Sequence, residues 1–437
     1  MSAGAGTSHM RREESGAGEH LPSDLNMTRA LWPILLASAV GLLPFTVFST
    51  YLVPIADESG SSVAAMGGLR GLGGLAALLV GTALAPLIDR VPKEWAAAGG
   101  LGVLAVSTAL GASGEYLLLV AFCLLVGAGT AVLNPALTAA AADRFGSGKA
   151  AGRAATLVTA TQSMTAMLAA PLIALPAVFW GWEGDLLAVT VASLLLAAIL
   201  LSRRSRSHVE EEEEADGGGK LSYLASFRAL AAVRGAVPLL LISLLRTAVF
   251  MGYLAYLAAY YDSRFQLGPG LFSLVWTLSG ASFFVSNLLT GRLTNSARPR
   301  VRTEHLLILG LVVALASVVG FYFTRRLPSA LVLTSLHAAS HAVVAACAVS
   351  LLVRRCGALR GSALSINAAG MSLGVFAGAS LGGVGLGLAG YPGVALVFGA
   401  LVTAALGAAF LVSRLPGEHI GADGGENAGS SGTSGAS

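Results

Sequence analysis

The sequence predicts an all-α polytopic membrane protein, with twelve transmembrane helices in two pseudo-symmetric six-helix bundles. Three observations carry that prediction. Of the 437 residues, 55% are hydrophobic and only 11% charged, with a mean hydropathy of +0.75. Soluble domains carry about 25% charged residues, so this chain takes the bilayer as its solvent. Apolar runs of about 20 residues, the length of a spanning helix, then follow one another in two groups of six. Finally, the stretch from Ala85 through Asp89 and Arg90 to Lys93 has a counterpart 206 residues later. There Gly291 matches Ala85, Asn295 matches Asp89, and Arg298 and Arg300 fall near Lys93.

Taken in order, residues 1–29 are polar and rich in Gly, Ser and Glu, the composition of a disordered tail. No short apolar core with a cleavage site follows its charges, so it does not read as a secretory signal. The first bundle, 30–203, holds apolar runs near 31–55, 63–88, 95–112, 116–142, 154–179 and 184–202. Residues 204–234 form a hydrophilic linker, with the acidic run Glu210 to Glu214 followed by Gly217 to Gly219. Blocks of like charge next to glycines are solvated chain, and Leu221 to Ala232 reads as a short amphipathic helix lying on the membrane surface. The second bundle, 235–414, holds runs near 235–260, 269–291, 303–324, 328–352, 361–389 and 391–414, and residues 415–437 form a second disordered tail.

Basic residues set the orientation. With both tails and the linker on one side, that side collects 22 Lys and Arg and the opposite loops hold 3, Arg264, Arg325 and Arg326. The positive-inside rule makes the rich side cytoplasmic. Arginine-rich, alanine- and glycine-rich usage points to a bacterial gene, hence to a bacterial inner membrane.

Several function classes drop out. No phosphate-binding loop is present, and no nucleophile–base constellation stands out, so the chain does not read as an ATP-driven pump or an enzyme. Cys123, Cys347 and Cys356 lack any paired or metal-ligand spacing. No cofactor, metal or nucleic acid is expected; the partners are a small molecule, protons and lipid, with the chain acting as a monomer.

Charges at bilayer depth are the sharper signal, because each costs roughly 2.5–3.5 kcal/mol on insertion scales and usually faces a cavity. Arg246 falls mid-way along the seventh run and Arg70 about two turns into the second. His337 and His341, four apart in the tenth run, share a helical face. The acids nearest the membrane, Asp57, Glu58, Asp89, Asp143, Glu183 and Asp185, all fall at run ends. A positive cavity without a carboxylate suits an anionic or neutral polar substrate. Asn134, Gln162, Asn287 and Asn367 are further cavity candidates. Each has a plain structural alternative: the arginines could snorkel or bond to backbone carbonyls, the histidines could carry protons or be buried hydrogen-bonding groups, and the amides could join helices.

The Ala85–Lys93 stretch resembles the loop between helices two and three of the major facilitator superfamily, G-x-x-x-D-R-x-G-R-[RK]. Asp89, Arg90 and Lys93 match it, whereas Ala85 and Pro92 replace its glycines and Glu94 its last base. Ala166, Ala170 and Pro171 in the fifth run, and Gly374, Gly378, Gly382 and Gly383 in the eleventh, resemble the helix-five motif of exporters in that superfamily, G-x-x-x-G-P-x-x-G-G. The fifth run keeps the proline, and the eleventh keeps the glycines with Ala379 in the proline's place.

The resemblance covers about residues 30–414 and is strongest to the branch of drug:proton antiporters and sugar-efflux permeases. It implies an alternating-access carrier with substrate between the halves, driven by an ion gradient in the absence of a nucleotide site. It also implies a cytoplasmic gate in which Asp89 is the latch acid, with Arg90, Lys93, Gly291 and Asn295 around it. A solvated, topology-setting loop is the alternative for that stretch. Import of an organic anion, and a non-transporting sensor or scaffold, are the alternatives to export.

Overall fold

The computed structural model describes residues 24–146, 149–202, 223–294 and 302–415, all of them helix or short connection. The first span is broken into α1 (Asp24–Val40), α2 (Leu43–Thr50) and α3 (Leu52–Glu58). The breaks have a local cause. Pro44 and Pro54 lack an N–H and would clash with the carbonyls four residues back, and the chain parts from helix at Gly41–Leu42 and at Tyr51.

Next come α4 (Val63–Arg90), α5 (Lys93–Gly111) and α6 (Tyr116–Asp143). Ser62 caps α4 by accepting the Ala65 N–H at 3.1 Å. Spans five and six form one bent element, α7 (Lys149–Ser202), turned at Gly181, whose φ of 70° suits glycine. After the short helix α8 (Tyr223–Ala232) come α9 (Ala236–Phe265), α10 (Pro269–Thr294), α11 (Thr303–Phe323) and α12 (Leu327–Cys356). Spans eleven and twelve form a second bent element, α13 (Arg360–Arg414), turned at Ala389–Gly390.

Nine of the described segments are long and apolar enough to cross a membrane. The two bent ones, α7 and α13, each carry two spans, and the Ala- and Gly-rich α5 completes twelve. The surface of the spans is apolar where it faces outward, as at Leu175, Val178 and Phe179, an arrangement only lipid satisfies.

One expected boundary is corrected. Residues 24–29, assigned by composition to a disordered tail, begin α1. Met27 and Leu31 are buried in the first core, and Arg144 Nη1 donates to the Ala30 carbonyl at 2.9 Å. Composition missed this because the buried face of that turn amounts to one methionine. A short helix is present in the expected stretch as α8, with Leu230 buried and Phe227 and Arg228 exposed. The rest of the two tails, and linker residues 203–222, lie outside the described residues.

Two large apolar cores result, with a small third cluster of Ala255, Tyr256 and Ala379. One draws on residues from Met27 to Leu200, the other on residues from Leu230 to Val412. Ala170 belongs to the second core and Ala259 to the first, so each half reaches into the other. The bundle has two ends: a basic face, with Lys93, Arg144, Arg302, Arg354 and Arg414, and a short-turn face at residues 59–62, 112–115, 266–268 and 324–326.

Candidate substrate site

Three helices of the second half build the polar cluster around Arg246. Arg246 sits mid-way along α9 and is only 5% exposed. Its Nη1 donates to the His341 carbonyl at 3.4 Å and its Nη2 to Thr247 Oγ1 at 3.1 Å. A guanidinium has five N–H donors, so these two bonds, one of them long, leave capacity for a ligand. Arg246 makes no ion pair with any described carboxylate.

His337 and His341 lie one turn apart on α12, both fully buried, with ring centroids 4.4 Å apart. Ser317 of α11 meets His337 Nδ1 at 3.2 Å. His337 Nε2 and both ring nitrogens of His341 have no hydrogen-bond partner, an expensive condition for buried polar atoms. Aromatic rings wall the cluster. Phe250 stacks on His341 at 5.3 Å and on Phe283 of α10 at 5.2 Å, while Tyr253 lies 4.4 Å from His337. Thr334 ties Tyr253 and Tyr261 together through hydroxyl contacts of 2.8 and 2.9 Å. The arrangement offers one permanent cation, three imidazole nitrogens without a hydrogen-bond partner and flat apolar walls. That is chemistry for an anion with an apolar body.

The other candidates divide. Asn134 and Gln162 join α6 to α7, Gln162 Nε2 donating to Asn134 Oδ1 at 3.2 Å. Asn367 is 6% exposed; its amide meets Met371 Sδ at 3.5 Å and its carbonyl oxygen has no partner. Asn287 is exposed on the stripe of α10 that carries Trp276 and Gly280. Arg70 belongs to the first half, apart from the Arg246 cluster. It is 8% exposed, lies 5.7 Å over the Phe45 ring, and its Nη1 has no partner.

The small-residue motifs form the seams. Gly374 and Gly378 of α13 lie against the backbone of α9 at Leu244 and Ala248, and Gly382 and Gly383 receive Tyr256. In α7 the Ala166 carbonyl accepts the Trp276 indole N–H at 3.0 Å, and a Cβ on Gly280 would meet Met167 Cα at 2.7 Å. Pro171, four residues on, leaves the Met167 carbonyl without its helical donor. Across the other seam, Cβ atoms on Gly74 and Gly383 would meet the Ser372 and Ala64 carbonyls at 2.6 and 2.8 Å. Towards the basic face the packing loosens, and a Cβ on Gly361 or Gly370 meets nothing within 4 Å. The halves are clasped over the short-turn side.

Of the gate candidates, Asp89 and Arg90 end α4, Lys93 opens α5 and Gly291 lies in the last turn of α10. Asn295 lies outside the described residues. Two residues outside the candidate set also stand out. Tyr256 bridges the halves, and Asp185, assigned by its position to a run end, is 3% exposed.

A family model described as Major Facilitator Superfamily matches residues 34–324. The chain belongs to the major facilitator superfamily. It is a multi-pass membrane transporter, and its small-molecule substrate is handled within the bilayer. Among solved structures it is similar to a bacterial homolog of the human lysosomal transporter Spinster, in an inward-facing and unoccupied conformation. That likeness has 16% identity over 90% of this chain and 98% of that one, with a TM-score of 0.72. The nucleoside transporter NupG follows at 14% identity, 90% and 99% coverage and TM-score 0.71. The human organic anion transporter MFSD10 (TETRAN) shares 19% over 88% and 99%, with TM-score 0.56. At these identities the likeness carries the fold. No curated protein matches the sequence.

Proposed function

We propose that this transporter exports a small anionic or neutral organic molecule by alternating access, coupled to protons, in the manner of the drug:proton antiporter and sugar-efflux branch. One observation carries the preference for an anion: the buried Arg246 guanidinium, beside His341 and paired with no carboxylate among the described residues. At low effective dielectric an uncompensated cation repels a second one and holds a carboxylate through charge-assisted, bidentate bonds. The orphan ring nitrogens of His337 and His341 supply further hydrogen bonds or a proton-carrying step. Asn367, on the first half of α13, and Asn287, Asn134, Gln162 and Arg70 are assigned to the cavity walls in other conformations.

Both termini are assigned to the cytoplasm of a bacterial cell and the monomer is taken as the working unit. The short-turn face is then external, so the clasped halves describe an inward-facing state. Asp89 and its neighbours Arg90, Lys93, Gly291 and Asn295 would engage as the cytoplasmic gate when the carrier turns outward. Everted vesicles test the coupling: an imposed pH gradient should drive accumulation of an organic anion, and a protonophore should abolish it. Accumulation indifferent to the gradient would refute proton coupling.

A further inference from the structure

A carboxyl group outside the Arg246 cluster has no role in the transport proposed above. Asp185 lies four residues beyond the Gly181 turn, at the short-turn end of the sixth span, and is 3% exposed. Its Oδ1 accepts the Trp180 indole N–H at 2.9 Å, bridging the turn, while its Oδ2 is buried with no hydrogen-bond partner. Among the described residues it makes no ion pair, and no Lys, Arg or His lies within ion-pair reach.

Its surroundings do not supply a counter-charge. Tyr51 faces it from the junction of α2 and α3 and is itself 8% exposed. On its own helix Glu183 folds back against Gly181, and Trp182 donates to Glu58 Oε2 of α3 at 3.1 Å. An ionised carboxylate here would keep one hydrogen bond and one bare oxygen, with the Tyr51 phenol facing it and no described cation in reach. Burying an unpaired charge costs several kcal/mol, and such a group takes up a proton instead.

We propose that Asp185 is a proton-binding site, carried as the neutral acid in this conformation with the proton on Oδ2. Binding adds one proton from water to the carboxylate and changes nothing else. Because Tyr51, at a break of the first span, faces it, displacing that segment would admit water and favour release. Proton occupancy is therefore linked to the seat of the first span, and acid favours the seated form. The inference goes beyond the Arg246 reading and depends on neither substrate nor direction.

The test is infrared pH-difference spectroscopy on the full chain in liposomes without substrate. The expected result is a deuterium-sensitive protonated-carboxyl band at neutral pH that disappears on alkalinisation and is missing in Asp185→Asn. Trp180→Phe removes the one bond that stabilises the anion, so its band should survive to higher pH. A merely structural role for Asp185 predicts no such shift. Should Asp185→Asn fail to fold, the Trp180→Phe titration decides alone. A neutral-pH spectrum without that band, or a titration unmoved by Trp180→Phe, overturns the assignment. Neither readout involves transport, so its failure is distinct from failure of the proposed export.

Discussion

The ring of Tyr256, on α9 of the second half, lies directly against Gly67, on α4 of the first. No side chain larger than hydrogen fits at position 67, because a Cβ there would overlap the ring. The Tyr256 hydroxyl donates to the Ala379 carbonyl at 2.7 Å and reaches the Ala64 carbonyl at 3.4 Å. One side chain thus binds three helices across the seam at the short-turn face.

Gly67→Ala should therefore unseat the ring and open that face. Spin labels at Ser61 and Gln266 should report longer distances in Gly67→Ala than in the parent protein. Tyr256→Phe keeps the ring and loses a hydrogen bond of about 1 kcal/mol, a roughly five-fold change in population. An unchanged distance distribution in Gly67→Ala would mean that the clasp lies elsewhere.

The glycines of the α9–α13 seam make a stability prediction. A Cβ on Gly378 would collide with the Ala248 carbonyl, so Gly378→Ala should cost about 1–3 kcal/mol by overpacking. Gly407, on the same helix with nothing within 4 Å, is the control. Gly407→Ala should be neutral or raise stability by up to about 1 kcal/mol through helix propensity. Thermal unfolding in detergent compares the two, and equal midpoints would contradict the packing account.

Hydropathy made the architecture legible because span length is a bilayer property, readable from run length alone. Gly181 and Gly390 also turn where the runs were separated. Contacts between distant spans were not legible. Arg246 and His341 are 95 residues apart, and nothing in either run announces that one donates to the other's carbonyl. The burial of Asp185 was not legible because position along a run does not reveal it: the bend at Gly181 brings the carboxyl group to Trp180. Tyr256 had a signal that went unused, since Tyr253, Tyr256, Tyr260 and Tyr261 recur at helical spacing and are all fully buried.

The uneven spread of bases predicts the topology. In intact cells a Ser113→Cys variant, at the short-turn face, should react with an impermeant thiol reagent, and Glu212→Cys should not. Labelling of Glu212→Cys from outside would reverse the orientation.

For the gate, Asp89→Asn should bias the carrier towards the inward-facing state and slow turnover while leaving the amount of folded protein near normal. Label distances across the basic face measure this. Unchanged distances together with unchanged turnover would remove Asp89 from the gate.

Arg246 makes the proposed site positive, and transport by Arg246 variants measures that charge preference. In everted vesicles at matched expression, a panel of organic anions should be set beside ethidium, a lipophilic cation. Losing charge-assisted hydrogen bonds worth about 1.5–3 kcal/mol predicts that Arg246→Ala lowers anion transport by roughly ten-fold or more. Arg246→Lys, which keeps the charge and loses the planar fork, should fall between. If the parent protein instead carries ethidium and no anion, and Arg246→Ala carries it equally well, then Arg246 is structural and the positive site does not exist.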